Sequence, residues 1–117
     1  YGFEDIAYTI LNYEKNGDQL TKASKKKLAM IQNYLKHDKD IELVLIGGFS
    51  DSYGGRWHNQ QLSEKRSNKI KTYFTEGGLQ AERIDSVGYG EKRHIASNQT
   101  VLGRQKNRRV IIQMEKP

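Results

Sequence analysis

The sequence predicts an α/β chain of the α+β type, with a mixed four-stranded sheet and its helices on one face. Segments rich in β-branched and aromatic residues alternate with segments whose apolar residues recur at helical spacing. The resulting order is strand, helix, strand, helix, strand, strand, and parallel neighbours in such an order need right-handed crossovers. A chain of 117 residues can bury one core and is too short for two, so residues 1–117 are expected to form a single domain.

The first half of the chain supplies a strand and a helix. Residues 7–13 are rich in β-formers and predict the first strand. Residues 16–18 (Asn-Gly-Asp) favour a turn, because Asn and Gly tolerate positive φ. Thr21 or Ser24 is then expected to cap a helix that continues to about His37.

The middle of the chain predicts a buried strand followed by a long helix. Residues 41–46 are almost continuously apolar, which suits the centre of a sheet, and residues 47–48 (Gly-Gly) are expected to end the strand. A loop rich in Gly and Ser follows. Asn59 is a good N-cap for the next helix, which should continue to Glu76 before a glycine stop at residues 77–78.

The last third of the chain predicts two more strands around a polar loop. Residues 83–87 favour a short strand and residues 110–114 the final strand. Between them, residues 88–100 form a long polar loop and residues 102–107 favour a short helical turn.

Composition narrows the classes of protein. The net charge is +6, from 20 Lys plus Arg against 14 Asp plus Glu, which favours an anionic partner such as nucleic acid, a membrane surface or an acidic cell-wall polymer. The absence of cysteine excludes disulfides, thiolate metal sites and cysteine nucleophiles. No apolar run approaches the roughly 20 residues that span a bilayer. The chain begins at Tyr1 without a signal-like segment, so we expect a processed protein or an excised domain.

Catalysis, metal binding and nucleic-acid binding receive little support. The segment at residues 48–52 follows a strand but lacks the second glycine of a nucleophile elbow. His37, His58 and His94 show no ligand spacing, so no metal site and no cofactor is expected. Basic residues are spread along the chain, and no nucleic-acid recognition signature accompanies them. A non-catalytic binding domain is therefore expected.

The most informative motif places an acid and a guanidinium on either side of a glycine loop. Asp51 precedes the loop. Arg66 lies 15 residues after Asp51, inside the predicted helix. Two opposite charges held across such a turn can bind the two ends of a zwitterion. They can equally form an internal salt bridge, and the spacing alone leaves both possibilities open.

With its other motifs, the chain resembles the OmpA-like, peptidoglycan-binding C-terminal domain over about residues 8–115. The pieces that carry the resemblance are Ser50-Asp51-Ser52 with Gly54, Asn59, Leu62-Ser63, Arg66, Gly88-Tyr89-Gly90-Glu91, Ile95-Ala96-Ser97-Asn98 with Thr100, Gly103-Arg104 and Asn107-Arg108-Arg109-Val110. The resemblance implies a βαβαββ sandwich. It also implies the wall-binding, C-terminal part of a longer periplasmic protein, attached to the cell wall or outer membrane of a Gram-negative envelope.

In that family the domain binds the peptide stem of peptidoglycan without a covalent bond. The resemblance assigns Asp51 to the ammonium and Arg66 to the carboxylate of diaminopimelate. It assigns Asn59 to loop support or ligand contact, Asn16 to a further polar contact, and Arg109 to packing near the same pocket. Since neighbouring strand residues face opposite ways, one of Arg108 and Arg109 is expected to be mainly structural.

Two departures from the family pattern concern the loop. Phe49 stands where many members carry a histidine, and Tyr53, Arg56 and Trp57 are bulkier than the usual residues. An aromatic in a polar loop can stack on a sugar, mark a protein interface or pack on the domain's own surface, and the sequence leaves these open.

Within the family, residues 8–20 and the lysine-rich first helix look most like a flagellar stator-ring member. The expected partners are thus peptidoglycan and flagellar stator or basal-body proteins. The alternative is a protein–protein module of the stator ring or outer membrane that keeps the fold without binding the wall.

Overall fold

A computed structural model describes residues 6–14, 17 and 19–116 of the chain. The elements in chain order are β1 (Tyr8–Asn12), α1 (Lys22–His37), β2 (Leu43–Phe49), α2 (Arg56–Glu76), a 3₁₀ turn (Ala81–Arg83), β3 (Ile84–Gly88), α3 (Val101–Asn107) and β4 (Arg109–Glu115). The predicted short helical turn before the last strand is thus confirmed as α3.

The four strands form one mixed sheet in the order β1-β4-β2-β3. Strands β2 and β3 are parallel, and α2 supplies the crossover between them; β4 lies antiparallel to both β1 and β2. Helix α2 packs on β2 and β3, and α1 packs on β1. This arrangement confirms the predicted fold class.

The core lies between the sheet and the two long helices. Strand β4 buries Val110 and Ile112, while α2 contributes Ile70 and Phe74 from above. Alternate residues of β4 point the other way, toward a face of the sheet lined by Leu45 and other side chains. No helix in residues 6–14, 17 or 19–116 has both the length and the apolar character that a bilayer crossing needs.

The glycine pair at residues 47–48 does not end β2, and that prediction was wrong. The strand continues to Phe49, with Gly48 paired to Val110 on one side and to Gly88 on the other. A Cβ on Gly48 would lie 2.0 Å from the backbone oxygen of Ser63. The glycine is therefore required for the close approach of α2 to the sheet.

The helix ends were predicted with mixed success. Thr21 is the N-cap of α1, and its hydroxyl accepts a hydrogen bond from the Ser24 N–H. Helix α2 ends at Glu76, followed by Gly78 at φ +102°. The prediction that Asn59 caps α2 was wrong, since the helix begins at Arg56 and the Asn59 N–H already bonds within it, to Gly55.

Candidate binding cleft

A cleft of about 280 Å³ lies where β2 ends and the chain turns into α2. Its wall combines the end of β2, the following loop, one face of α2 and the residue before β4. The residues that line it are Gly17, Ser50, Asp51, Tyr53, His58, Asn59, Leu62, Arg66 and Arg108. The structure thus brings Asp51 and Arg66 to one cleft, as the motif suggested.

Asp51 is held in place from two sides. One carboxylate oxygen, Oδ1, accepts a hydrogen bond from the Tyr53 N–H at 2.9 Å, and the other, Oδ2, lies 2.9 Å from Nη1 of Arg108. The residue is only 8% exposed. Asp51 therefore forms its ion pair with Arg108. The internal Asp51–Arg66 salt bridge, which the sequence left open, is not the pair that forms.

Arg66 is 1% exposed, and it reaches the cleft from the middle of α2. Its Nη1 donates to the carbonyl of Phe49 at 3.0 Å and its Nη2 to the carbonyl of Gly17 at 2.8 Å. The guanidinium also lies over the ring of Tyr13, 4.6 Å from its centre. These contacts fix the orientation of the guanidinium and offset part of the desolvation free energy that its burial costs.

The two predicted asparagines have different outcomes. Asn59 lines the cleft and is 1% exposed, and its Nδ2 donates to Glu91 at 3.1 Å. This bond ties α2 to the loop after β3, in agreement with a supporting role. Asn16 lies outside the described residues.

Arg109 is not part of this cleft, and the expectation that it packs near the same pocket was wrong. As the first residue of β4 it faces the opposite side of the sheet from Val110. There its guanidinium lies over the Phe49 ring at 4.0 Å and donates to the carbonyls of Asn107 and Arg93. Burial lowers the pKa of Arg109, and the role that its contacts indicate is structural.

Arg108 is the charged cleft residue that the sequence analysis did not assign to the site. It precedes β4, and its side chain turns toward the cleft while that of its neighbour turns away. The alternation of side chains along a strand separated the two arginines correctly, but it could not tell which one faced the acid.

Phe49, which stands where many family members carry a histidine, leaves the charged groups of the cleft in place. Its ring stacks on Tyr89 at 5.0 Å on the far face of the sheet, while its carbonyl accepts the bond from Arg66. The backbone of Phe49 therefore serves the cleft and its side chain does not.

A second asparagine organises the rim. Asn107 is fully buried; its Oδ1 accepts from the N–H groups of Ile95 and Ala96, and its Nδ2 donates to Asn98. Asn98 in turn accepts from the Ser52 N–H at 3.3 Å. This series of hydrogen bonds thus links the polar loop at residues 89–100 to Ser52, the residue next to Asp51. Asn107 and Asn98 belong to the motifs that carry the family resemblance, but the sequence alone did not predict their roles.

Unused hydrogen-bonding capacity remains beside the cleft. Among the described residues, the buried atoms Ser50 Oγ and Arg108 Nε have no hydrogen-bond partner. Buried polar groups are normally paired, so such groups point to a ligand or to ordered water. Residues 6–14, 17 and 19–116 contain no group of three or more His, Cys, Asp or Glu side chains that could hold a metal ion.

The sequence and the fold define the class of this protein. Residues 12–108 match the OmpA family, and the chain belongs to that family, which confirms the resemblance found from the motifs. It is 54% identical, over 97% of its length, to the sodium-type flagellar protein MotY of Vibrio parahaemolyticus serotype O3:K6, of which the match covers 39%. The expected likeness to a flagellar member is thereby confirmed.

Other relatives come from the outer membrane. The chain is 37% identical, over 86% of its length, to the outer-membrane lipoprotein YfiB of Pseudomonas aeruginosa, of which the match covers 59%. The chain therefore spans less than two thirds of the length of either relative.

Solved structures show the same fold. The peptidoglycan-associated lipoprotein of Burkholderia pseudomallei superposes with a TM-score of 0.81 at 19% identity, covering 91% of this chain and 89% of that one. The C-terminal domain of Helicobacter pylori MotB gives a TM-score of 0.80 at 19% identity, covering 93% and 85%.

Proposed function

We propose that this domain binds peptidoglycan non-covalently, by holding the diaminopimelate residue of a stem peptide in the cleft between Asp51 and Arg66. The observation that carries the proposal is the presence of a carboxylate and a guanidinium, both positioned by backbone contacts, in the wall of one cleft of about 280 Å³. Diaminopimelate offers an ammonium and a carboxylate on one carbon, which matches that pair of charges.

Asp51 is the group proposed to receive the ammonium. A carboxylate has about four lone-pair sites, and the bonds from the Tyr53 N–H and Arg108 use one on each oxygen. The contact from the neighbouring Arg108 fixes the orientation of the carboxylate. A charge-assisted hydrogen bond to the ammonium is worth about 1.5–3 kcal/mol.

Arg66 is the group proposed to receive the carboxylate. A guanidinium matches a carboxylate in shape and can donate two parallel hydrogen bonds, which an ammonium cannot do. Because the contacts with Phe49 and Gly17 already fix its orientation, little side-chain entropy remains to be lost when the ligand binds.

For the longer protein we propose a periplasmic, non-catalytic wall anchor of the flagellar motor. The 54% identity to MotY supports the flagellar role, and flagellar stator or basal-body proteins would be its partners. The charged cleft requires neither a metal nor a cofactor for binding. The alternative, a protein–protein module that has lost the wall ligand, makes the opposite prediction in the experiment that follows.

Co-sedimentation with purified diaminopimelate-type sacculi tests the proposal. The wild type should sediment with sacculi, and Asp51→Asn should weaken binding about 10- to 150-fold, the equivalent of one charge-assisted bond. Asp85→Asn, which removes an exposed carboxylate on the opposite face of the sheet, is the matched control and should bind normally. If the folded wild type does not sediment, the protein–protein alternative is favoured.

A further inference from the structure

Two large aromatic side chains stand exposed beside the cleft. Tyr53 is 82% exposed and Trp57 is 76% exposed. Tyr53 also lines the cleft, and Trp57 directly precedes His58, another lining residue. Exposed aromatic side chains next to a cleft are typical of surfaces that bind a ligand or a partner.

The backbone that carries the rings is fixed to the proposed stem site. The Tyr53 N–H donates to Asp51, and the Ser52 N–H donates to Asn98 on the opposite rim. Gly54 turns the chain at φ +100°, and Trp57 then lies in the first turn of α2. The backbone positions of both residues are therefore fixed relative to the cleft.

We propose that Tyr53 and Trp57 bind the glycan strand to which the stem peptide is attached, an inference that rests on the proposed function. A pyranose ring presents an apolar C–H face that stacks on an aromatic ring, and hydroxyls that need polar neighbours. Residues 51–58 provide both, because they combine two aromatics with Ser, Arg and His and contain no aliphatic side chain.

The length of the stem supports this placement. Two amino acids separate diaminopimelate from the muramic acid, and they span roughly 7 Å when extended, or somewhat more when linked through a side-chain carboxyl. A ligand that places diaminopimelate between Asp51 and Arg66 thus carries its first sugar to the rim of the cleft. Tyr53 forms part of that rim. Arg56, which lies between Tyr53 and Trp57 in the sequence, is exposed and can donate hydrogen bonds to sugar hydroxyls.

Isothermal titration with two matched ligands tests the inference. One ligand is the diaminopimelate stem peptide alone, and the other is the same peptide on its disaccharide. The wild type should bind the disaccharide form more tightly. Trp57→Ala should weaken the disaccharide form about 2- to 12-fold, the value of one aromatic stacking contact, and leave the stem peptide unchanged. Trp57→Phe should restore part of the loss, and Tyr8→Ala, an exposed aromatic on the far face of the sheet, should change neither.

The outcomes separate the two proposals. Equal wild-type affinity for both ligands, or unchanged binding of the disaccharide form by Trp57→Ala, would overturn the glycan site while the stem site stands. The second result would assign the rings to a protein partner. If the wild type binds neither ligand, the proposed function fails and the glycan site fails with it.

Discussion

Arg66 offers the sharpest test of how the cleft selects its ligand. Lysine differs from diaminopimelate by the absence of the distal carboxylate, so a stem peptide with lysine keeps the charge for Asp51 and removes the charge for Arg66. The guanidinium is 1% exposed, and a charge-assisted bond there is worth about 1.5–3 kcal/mol. The wild type should therefore prefer the diaminopimelate stem about 10- to 150-fold.

The variant Arg66→Lys should reduce that preference to a few-fold while binding the lysine stem nearly as before. The substitution keeps a positive charge but loses the planar fork that matches a carboxylate. It also loses the paired donors to Phe49 and Gly17, which should lower the free energy of unfolding by about 1–3 kcal/mol, so urea denaturation must first establish that the variant is folded. Titration calorimetry with both stems then measures the preference. Equal wild-type affinity for the two stems would refute the role assigned to Arg66.

Two further predictions concern stability. Gly48→Ala should destabilise the fold by about 3 kcal/mol or more in urea denaturation, because the new Cβ would lie 2.0 Å from the Ser63 backbone oxygen. The control Gly55→Ala, with open space around residue 55, should cost less than about 1 kcal/mol. Equal losses of unfolding free energy in the two variants would contradict the packing argument. Lys116 lies 2.8 Å from Asp38, and its hydrogen bond lowers the pKa of Asp38 while raising its own. Lys116→Met should therefore be slightly less stable than the wild type in urea denaturation at neutral pH. The difference in stability should vanish as the pH falls below 3.8, the ordinary pKa of Asp38, and Asp38 is protonated. A stability difference that persists at acid pH would show that the ion pair is not its cause.

Local signals predicted most of the fold because they act within a few residues. The Thr21 hydroxyl reaches the Ser24 N–H three residues on, and α2 stops at the glycines that directly follow Glu76, with Gly78 at φ +102°. The end of β2 failed for the opposite reason. Gly48 reads as a strand breaker by itself, but it is retained inside the strand because α2 crosses close above it, and that contact joins residues far apart in sequence.

The candidate site divides in the same way. The family resemblance predicted that Asp51 and Arg66 belong to one binding site, and both line the same cleft. It could not predict that Asp51 pairs with Arg108, because this contact spans 57 positions in the sequence. Two adjacent arginines are equivalent by charge, and only the facing of β4 separates the cleft residue from the structural one, Arg109.

A crystal structure with a diaminopimelate-containing stem peptide tests the central claim most directly. We expect the ammonium of the ligand within hydrogen-bond distance of Asp51 and its carboxylate against the guanidinium of Arg66. A peptide bound in the reverse orientation, or bound on the opposite face of the sheet beside Arg109, would contradict the account.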